Sequence, residues 1–147
     1  MSGYLLSETL AEYETVLSGS DLDLKIIDRI GPITTHTPTN LSNKGVLVRS
    51  DTTNNRDQYR DQHLARVLDD ITVEFLYLIV ATKQKDCRAA ALLLEEQIRV
   101  LITSRAPQLA SHTTFRGVSR GLHPLDASWW FCSMKFTTAR DASLGGA

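Results

Sequence analysis

Ile71-Thr72-Val73-Glu74-Phe75-Leu76-Tyr77-Leu78-Ile79-Val80 decides how this chain folds. Side chains alternate between the two faces of a strand. Ile71, Val73, Phe75, Tyr77 and Ile79 therefore fall on one face, and Thr72, Glu74, Leu76, Leu78 and Val80 on the other. The first face is wholly apolar, and the second becomes apolar toward its end. That pattern predicts a central strand from Leu68 to Val80, with helices on one side and a second cover over Leu76 and Leu78 on the other. The second cover is expected to be a loop or another subunit.

Two segments have the helical period. Leu6, Leu10, Tyr13 and Leu17 follow a 4-3-4 spacing, with Ser7 placed to cap the helix and Ser18-Gly19-Ser20 to end it. Cys87, Ala91, Leu94, Ile98 and Leu101 continue in the same way, which predicts a helix from Asp86, as cap, to Thr103. Shorter apolar runs at 24–27 and 46–49 read as strands. The closing strand is 128–138, with Trp130, Cys132, Met134 and Phe136 on one face and Trp129, Phe131, Ser133, Lys135 and Thr137 on the other. Residues 50–63 and 104–127 are polar or rich in Gly and Pro and are expected to be flexible loops. The tail from Ala142 is expected to fray. The fold class is α+β: one two-layer domain over 1–147, a mostly antiparallel sheet of about four strands with two helices on one face.

The chain has 147 residues, enough for one self-sufficient core. Its longest apolar run, Phe75 to Ala81, is far short of the roughly 20 residues a membrane span needs, so no membrane partner is expected. The start, Met1 to Leu6, has neither a basic region nor a long apolar core, and no secretory signal is expected. Cys87 and Cys132 lack a C-x-x-C partner and read as reduced thiols, Cys132 in the core. Formal net charge is −1, but the sign is divided along the chain. Residues 1–28 hold Glu8, Glu12, Glu14, Asp21, Asp23 and Asp28 against Lys25, a balance of −5. Residues 104–140 hold Arg105, Arg116, Arg120, Lys135 and Arg140 against Asp126, a balance of +4. The two ends can be neighbours in one fold, meet across copies, or form two solvated faces.

No catalytic, cofactor-binding or metal-binding residues emerge. Gly117-Val118-Ser119-Arg120-Gly121 has the nucleophile-elbow spacing, but Pro124 forbids the helix that must follow. The only later histidine, His123, precedes both later acids, Asp126 and Asp141, so the triad order fails. His36, His63, His112 and His123 have no metal spacing and are expected in solvated loops. The adjacent carboxylates Asp69-Asp70 and Glu95-Glu96 diverge on a strand and a helix and are expected at the surface. No phosphate-binding glycine motif is present, and no cofactor is implied. The basic, glycine-containing run 115–123 is a weak signal for phosphate. The candidate interface residues are Arg56, Asp57, Arg60 and Asp61, a mixed-sign cluster suited to a polar contact, together with Trp129 and Phe131. The last two lie on the face opposite the expected core, where a partner or a loop would cover them.

From Asp70 to Asp141 the chain resembles the tail-terminator (tail-completion) proteins of long-tailed bacteriophages. The likeness rests on the alternating strand 71–80, the crossover helix 86–103 and the aromatic closing strand 125–138; the opening helix and chain length also fit. The resemblance implies a non-enzymatic virion protein, assembled in the bacterial cytoplasm and placed at the head–tail junction. It implies a homohexameric ring that caps the tail tube, joins a head-connector (head-completion) protein and meets DNA only in passage. The insert at 50–63 departs from that pattern. Without the resemblance, the residues also suit a small cytoplasmic ligand-binding or regulatory domain, dimeric through the Trp129/Phe131 face.

Overall fold

The structure is a computed structural model that describes residues 5–60, 64–104 and 112–143. Its elements run α1 (Leu6–Ser18), β1 (Lys25–Ile26), β2 (Gly45–Arg60), β3 (Leu64–Leu78), α2 (Gln84–Ser104), β4 (Thr113–Leu122) and β5 (Trp129–Ser143), with short 3-10 turns at Ile33–Thr35, Pro38–Asn40 and Ala81–Lys83. The strands form one sheet in the order β1-β2-β3-β5-β4. Every pairing is antiparallel except the short β1–β2 pair. The fold class is thus α+β as the patterning indicates, with five strands rather than about four.

Both helices cover one face. Tyr13 and Leu17 of α1 and Ala91, Leu94, Ile98, Leu101 and Ile102 of α2 are buried. They pack with Ile71, Val73 and Phe75 of β3 and with Cys132, Met134 and Phe136 of β5. Phe136 takes Tyr13 and Phe115 edge-on, at centroid distances of 6.2 and 5.6 Å. Helix α1 begins after Leu5, not Ser7, and its N-cap residue makes no side-chain hydrogen bond. Asp86 falls in the first turn of α2, which starts two residues earlier than the spacing predicts.

Two stretches expected to be loops are strand. Residues 51–60 extend β2, which pairs antiparallel with β3, so this part of the polar insert is one arm of a long hairpin; residues 61–63 lie outside the described residues. Strand pairing satisfies backbone groups whether or not the side chains are apolar, and Ser50 adds a hydroxyl bond to the Asp70 carbonyl at 2.9 Å. Likewise β4 occupies 113–122, in the middle of the second expected loop. Both strands carry a bulge, between Ser50 and Thr52 and between Phe115 and Gly117. A bulge inserts one extra residue and reverses which parity faces the core. In β4, Phe115 lies opposite Phe136, but after the bulge Val118 and Arg120 take the core-side positions opposite Met134 and Cys132. The alternation is present but out of phase with itself. Strand β5 continues to Ser143, beyond the expected end and into the tail expected to fray.

The second cover for β3 is the chain itself. Residues 27–44 lie over the far face, where Ile33, Leu47, Leu76 and Trp129 form a smaller core with Ile27, Leu41 and Phe131 against it. Lys44 N–H donates to the Leu76 carbonyl at 2.9 Å, and Leu78 N–H to Asn43 Oδ1 at 2.8 Å. Gly45 lets this segment enter the sheet. A Cβ there would stand 2.7 Å from the Ser42 carbonyl oxygen and 2.9 Å from Ile27 Cδ1. Gly45→Ala is therefore expected to lower unfolding stability by about 1–3 kcal/mol, as overpacking against backbone does. Urea denaturation checks this; an unchanged midpoint would show that the 42–45 turn relaxes freely.

Candidate functional site

Three buried carboxylates organise the polar chemistry. Each sits in a row of apolar neighbours, and each meets an arginine on another element. Glu74, on the far face of β3, accepts from Arg49 Nε at 2.9 Å and from Ile33 N–H at 3.1 Å. Arg49 also pairs with Asp51. Burial alone would disfavour the Arg49 charge, but the bonds to Glu74 and Asp51 prevail and raise its pKa. His123 completes this arrangement. Its Nδ1 accepts from Leu125 N–H at 3.1 Å, which leaves the proton on Nε2 to donate to the Ile33 carbonyl at 3.1 Å. Both backbone groups of Ile33 are thus held by buried side chains.

On the helix side, Glu95 of α2 forms a two-point bond with Arg120 of β4, at 2.7 and 2.9 Å. Cys132 Sγ–H donates to the same carboxylate at 3.3 Å. Burial would raise the Glu95 pKa, but these donors overcome it and hold it below its ordinary value. Burial, with Glu95 beside it, pushes the Cys132 thiol well up, which keeps it protonated and unreactive. At the other end of the same face, Asp69 accepts from Arg140 Nε at 2.5 Å and from Thr53 Oγ1 at 2.6 Å. Nearby, Tyr13 shares a 2.5 Å hydrogen bond with Thr138, which also meets Thr113 at 3.0 Å.

These contacts correct two expectations. Asp69 and Glu95 are buried, whereas their neighbours Asp70 and Glu96 are exposed, so each pair does diverge but only half of it is surface. His123 is buried and structural rather than solvated. His36 is half-buried, with Nε2 2.8 Å from the Ile30 carbonyl; His112 is exposed, and His63 lies outside the described residues. Ser119 is exposed in the middle of β4, so the G-x-S-x-G run is neither a strand-to-helix elbow nor a flexible loop. Both His123 nitrogens are engaged elsewhere. Among the described residues no three His, Cys, Asp or Glu side chains converge as a metal site. None of their helices is long and apolar enough to cross a membrane.

The five candidate interface residues that the structure describes do not come together. Arg56, Asp57 and Arg60 lie on the distal part of β2; Asp61 is outside the described residues. Trp129 and Phe131 pair with Leu78 and Leu76, at the other end of β3 from the Arg60–Ala65 pair. Trp129 is buried and Phe131 half-buried beneath residues 27–44, so the aromatic face is covered by this chain and is not an open dimer surface.

What the fold does leave open is its edges. Strand β1 pairs only with Gly45 and Val46, so no strand among the described residues lies outside β2 from Leu47 to Arg60. The outer side of β4 is also without a strand there. The acid-bearing α1 packs on β1 and β2 and reaches across to β5, where Tyr13 meets Phe136 and Thr138, whereas Arg116 and Arg120 belong to β4 at the edge beyond β5. None of the acids of 5–28 forms an ion pair among the described residues, although Tyr13 of α1 hydrogen-bonds Thr138 of β5. No protein-family model matches this chain, and no curated protein is significantly similar to it.

Two outcomes follow from the buried locks. His123→Ala leaves Leu125 N–H without its partner and the Ile33 carbonyl with only the 3.3 Å bond from His36 N–H, and is expected to cost about 2 kcal/mol. It should also red-shift Trp129 emission as residues 27–44 lift, with far-UV circular dichroism unchanged; unaltered emission and stability would refute the lock. Arg120→Ala removes the partner of Glu95, at a cost of about 1–2 kcal/mol near neutral pH after allowance for the exposed guanidinium. Because the folded-state pKa of Glu95 is depressed, its contribution is present above the ordinary carboxylate range and is lost as pH falls through the folded value. The stability gap between wild type and variant should therefore narrow in acid, as measured by denaturation across pH; a gap independent of pH would contradict the assignment.

Proposed function

We propose that this chain is a structural assembly subunit of the tail-terminator kind, which forms a ring on the last ring of a phage tail tube and presents the surface that joins the head connector. One observation carries the reading: among the described residues, the two sheet edges left without a neighbouring strand, β2 from Leu47 and β4, lie at opposite sides of the sheet. An open edge is a template for pairing with another chain. Two different edges that match each other make a head-to-tail contact, which closes into a ring when the rotation per subunit allows it. The acids of α1, without ion-pair partners among the described residues, and the exposed Arg116 of β4 favour that order over like-with-like contact. The α+β architecture agrees with the resemblance of 70–141, and DNA would pass through such a ring without a strongly basic lining. On this reading the protein is not an enzyme and needs no cofactor. The hexamer, the tail-tube and head-connector partners and the virion location belong to the same proposal.

The expected outcome is a closed ring, seen by native mass spectrometry and negative-stain microscopy, either free or on contact with purified tail tubes. Glu12→Lys and Arg116→Glu should each weaken assembly, and the pair together should restore part of it. A strict monomer that ignores tail tubes would overturn the reading.

A further inference from the structure

At the end of the sheet away from the hairpin tip, a cleft of about 460 Å³ opens between the start of α2 and the ends of β4 and β5. Trp130, Ile79 and Leu122 supply apolar surface, and Gln84, Lys85 and Arg88 supply polar groups. The volume falls within the roughly 300–1,000 Å³ of small-molecule sites. No carboxylate lines it. Neither Lys85 nor Arg88 has an ion-pair partner among the described residues. Trp130 Nε1 is also the one buried side-chain nitrogen or oxygen among the described residues without a hydrogen-bond partner. A buried donor left unmatched is costly, and an acceptor seated beside it recovers that cost. The same end of the sheet exposes Leu78, Val80 and Leu125.

We infer that this cleft binds a small monocarboxylate with an apolar body. The carboxylate meets Lys85 and Arg88 and accepts from the indole N–H once the ring shifts toward it. The body lies on Trp130, Leu122 and Ile79. Two cations in a cleft that no carboxylate lines select an anion; the tryptophan and aliphatic surface disfavour a bare inorganic one. Glu95 and Arg120 are already mutually satisfied and are not needed. This site goes beyond the assembly role and stands independently of it.

The test uses the full chain, labelled with nitrogen-15, and octanoate as probe. The two indole N–H resonances belong to Trp129 and Trp130, and Trp130→Phe assigns them by deletion. Octanoate should move the Trp130 resonance saturably and leave that of Trp129, under residues 27–44, in place. Octanol, with the same body and no charge, should bind at least about tenfold more weakly, as loss of a charge-assisted bond requires. Lys85→Gln with Arg88→Gln, both at exposed positions, should weaken octanoate similarly without changing the folded spectrum. No saturable octanoate shift, equal binding of octanol, unchanged binding by the double variant, or equal movement of both indole resonances would each overturn the proposal.

Discussion

Residues 71–76 of β3 are buried on both sides, and a strand buried on both sides must find two covers. The helices supply the first from an ordinary amphipathic stripe. The second is harder, because residues 27–44 contain no long element that could pack by its own periodicity. Their apolar contribution is small: Ile33 fully buried, with Ile27 and Leu41 half-buried. Burying a side chain of this size is worth about 1.5–3 kcal/mol, less than the cost of ordering so long a connection at about 1–2 kcal/mol per residue. The segment therefore depends on polar anchors. Glu74 and His123 hold the N–H and C=O of one residue, and Asn43 and Lys44 tie the other end to the last turns of β3.

The three buried ion pairs share a geometry. Glu74 joins β3 to β2, Asp69 joins β3 to β5, and Glu95 joins α2 to β4. Each links different elements, and for the two carboxylates on β3 a one-residue slip would move them to the other side of the sheet. Buried pairs of this sort contribute little net stability over an apolar replacement, but a single unpaired member is costly. Their effect here falls on register. A slipped β3 would strand Asp69 and Glu74 at once, and both bulges would be out of place. The guanidinium of Arg99 over the Phe115 ring, 5.2 Å from its centroid, adds a further tie between α2 and β4.

That geometry also explains which parts of the fold are legible in the sequence. The helices, β3 and β5 are, because their apolar residues keep one phase throughout. The extensions of β2 and β4 are not, because the bulges at 50–52 and 115–117 reverse the phase, and because edge strands bury too little to leave a clear alternation. Of the buried polar set, Glu74 was visible as a carboxylate in a strand face that turns apolar. Asp69 and Glu95, expected at the surface, are in phase with apolar rows, Asp69 two residues before Ile71 and Glu95 between Ala91 and Ile98, and both are buried. His123 carried no such signal. Its role depends on Ile33, ninety residues away, and no local pattern encodes that contact. Trp129 and Phe131 read as surplus apolar surface, and the cover over them lay in a segment whose only large buried side chain is Ile33.

A sheet with two uncovered edges must be protected from pairing with the wrong partner or given the right one. Here residues 51–54 on one edge are all polar and exposed, and β4 interrupts the other with Gly117, Gly121 and two arginines. Such edges resist indiscriminate aggregation, since charge and irregular twist oppose casual strand addition. They do not resist a complementary edge, whose opposite charge converts the same barrier into attraction at short range. The net charge of −1 then has a structural meaning. Within one copy the basic end is already met in part, Arg120 by Glu95 and Arg140 by Asp69, whereas none of the acids of 5–28 has an ion-pair partner among the described residues. On the proposed assembly, the acids left unpaired within one copy are the groups that a neighbouring subunit would meet.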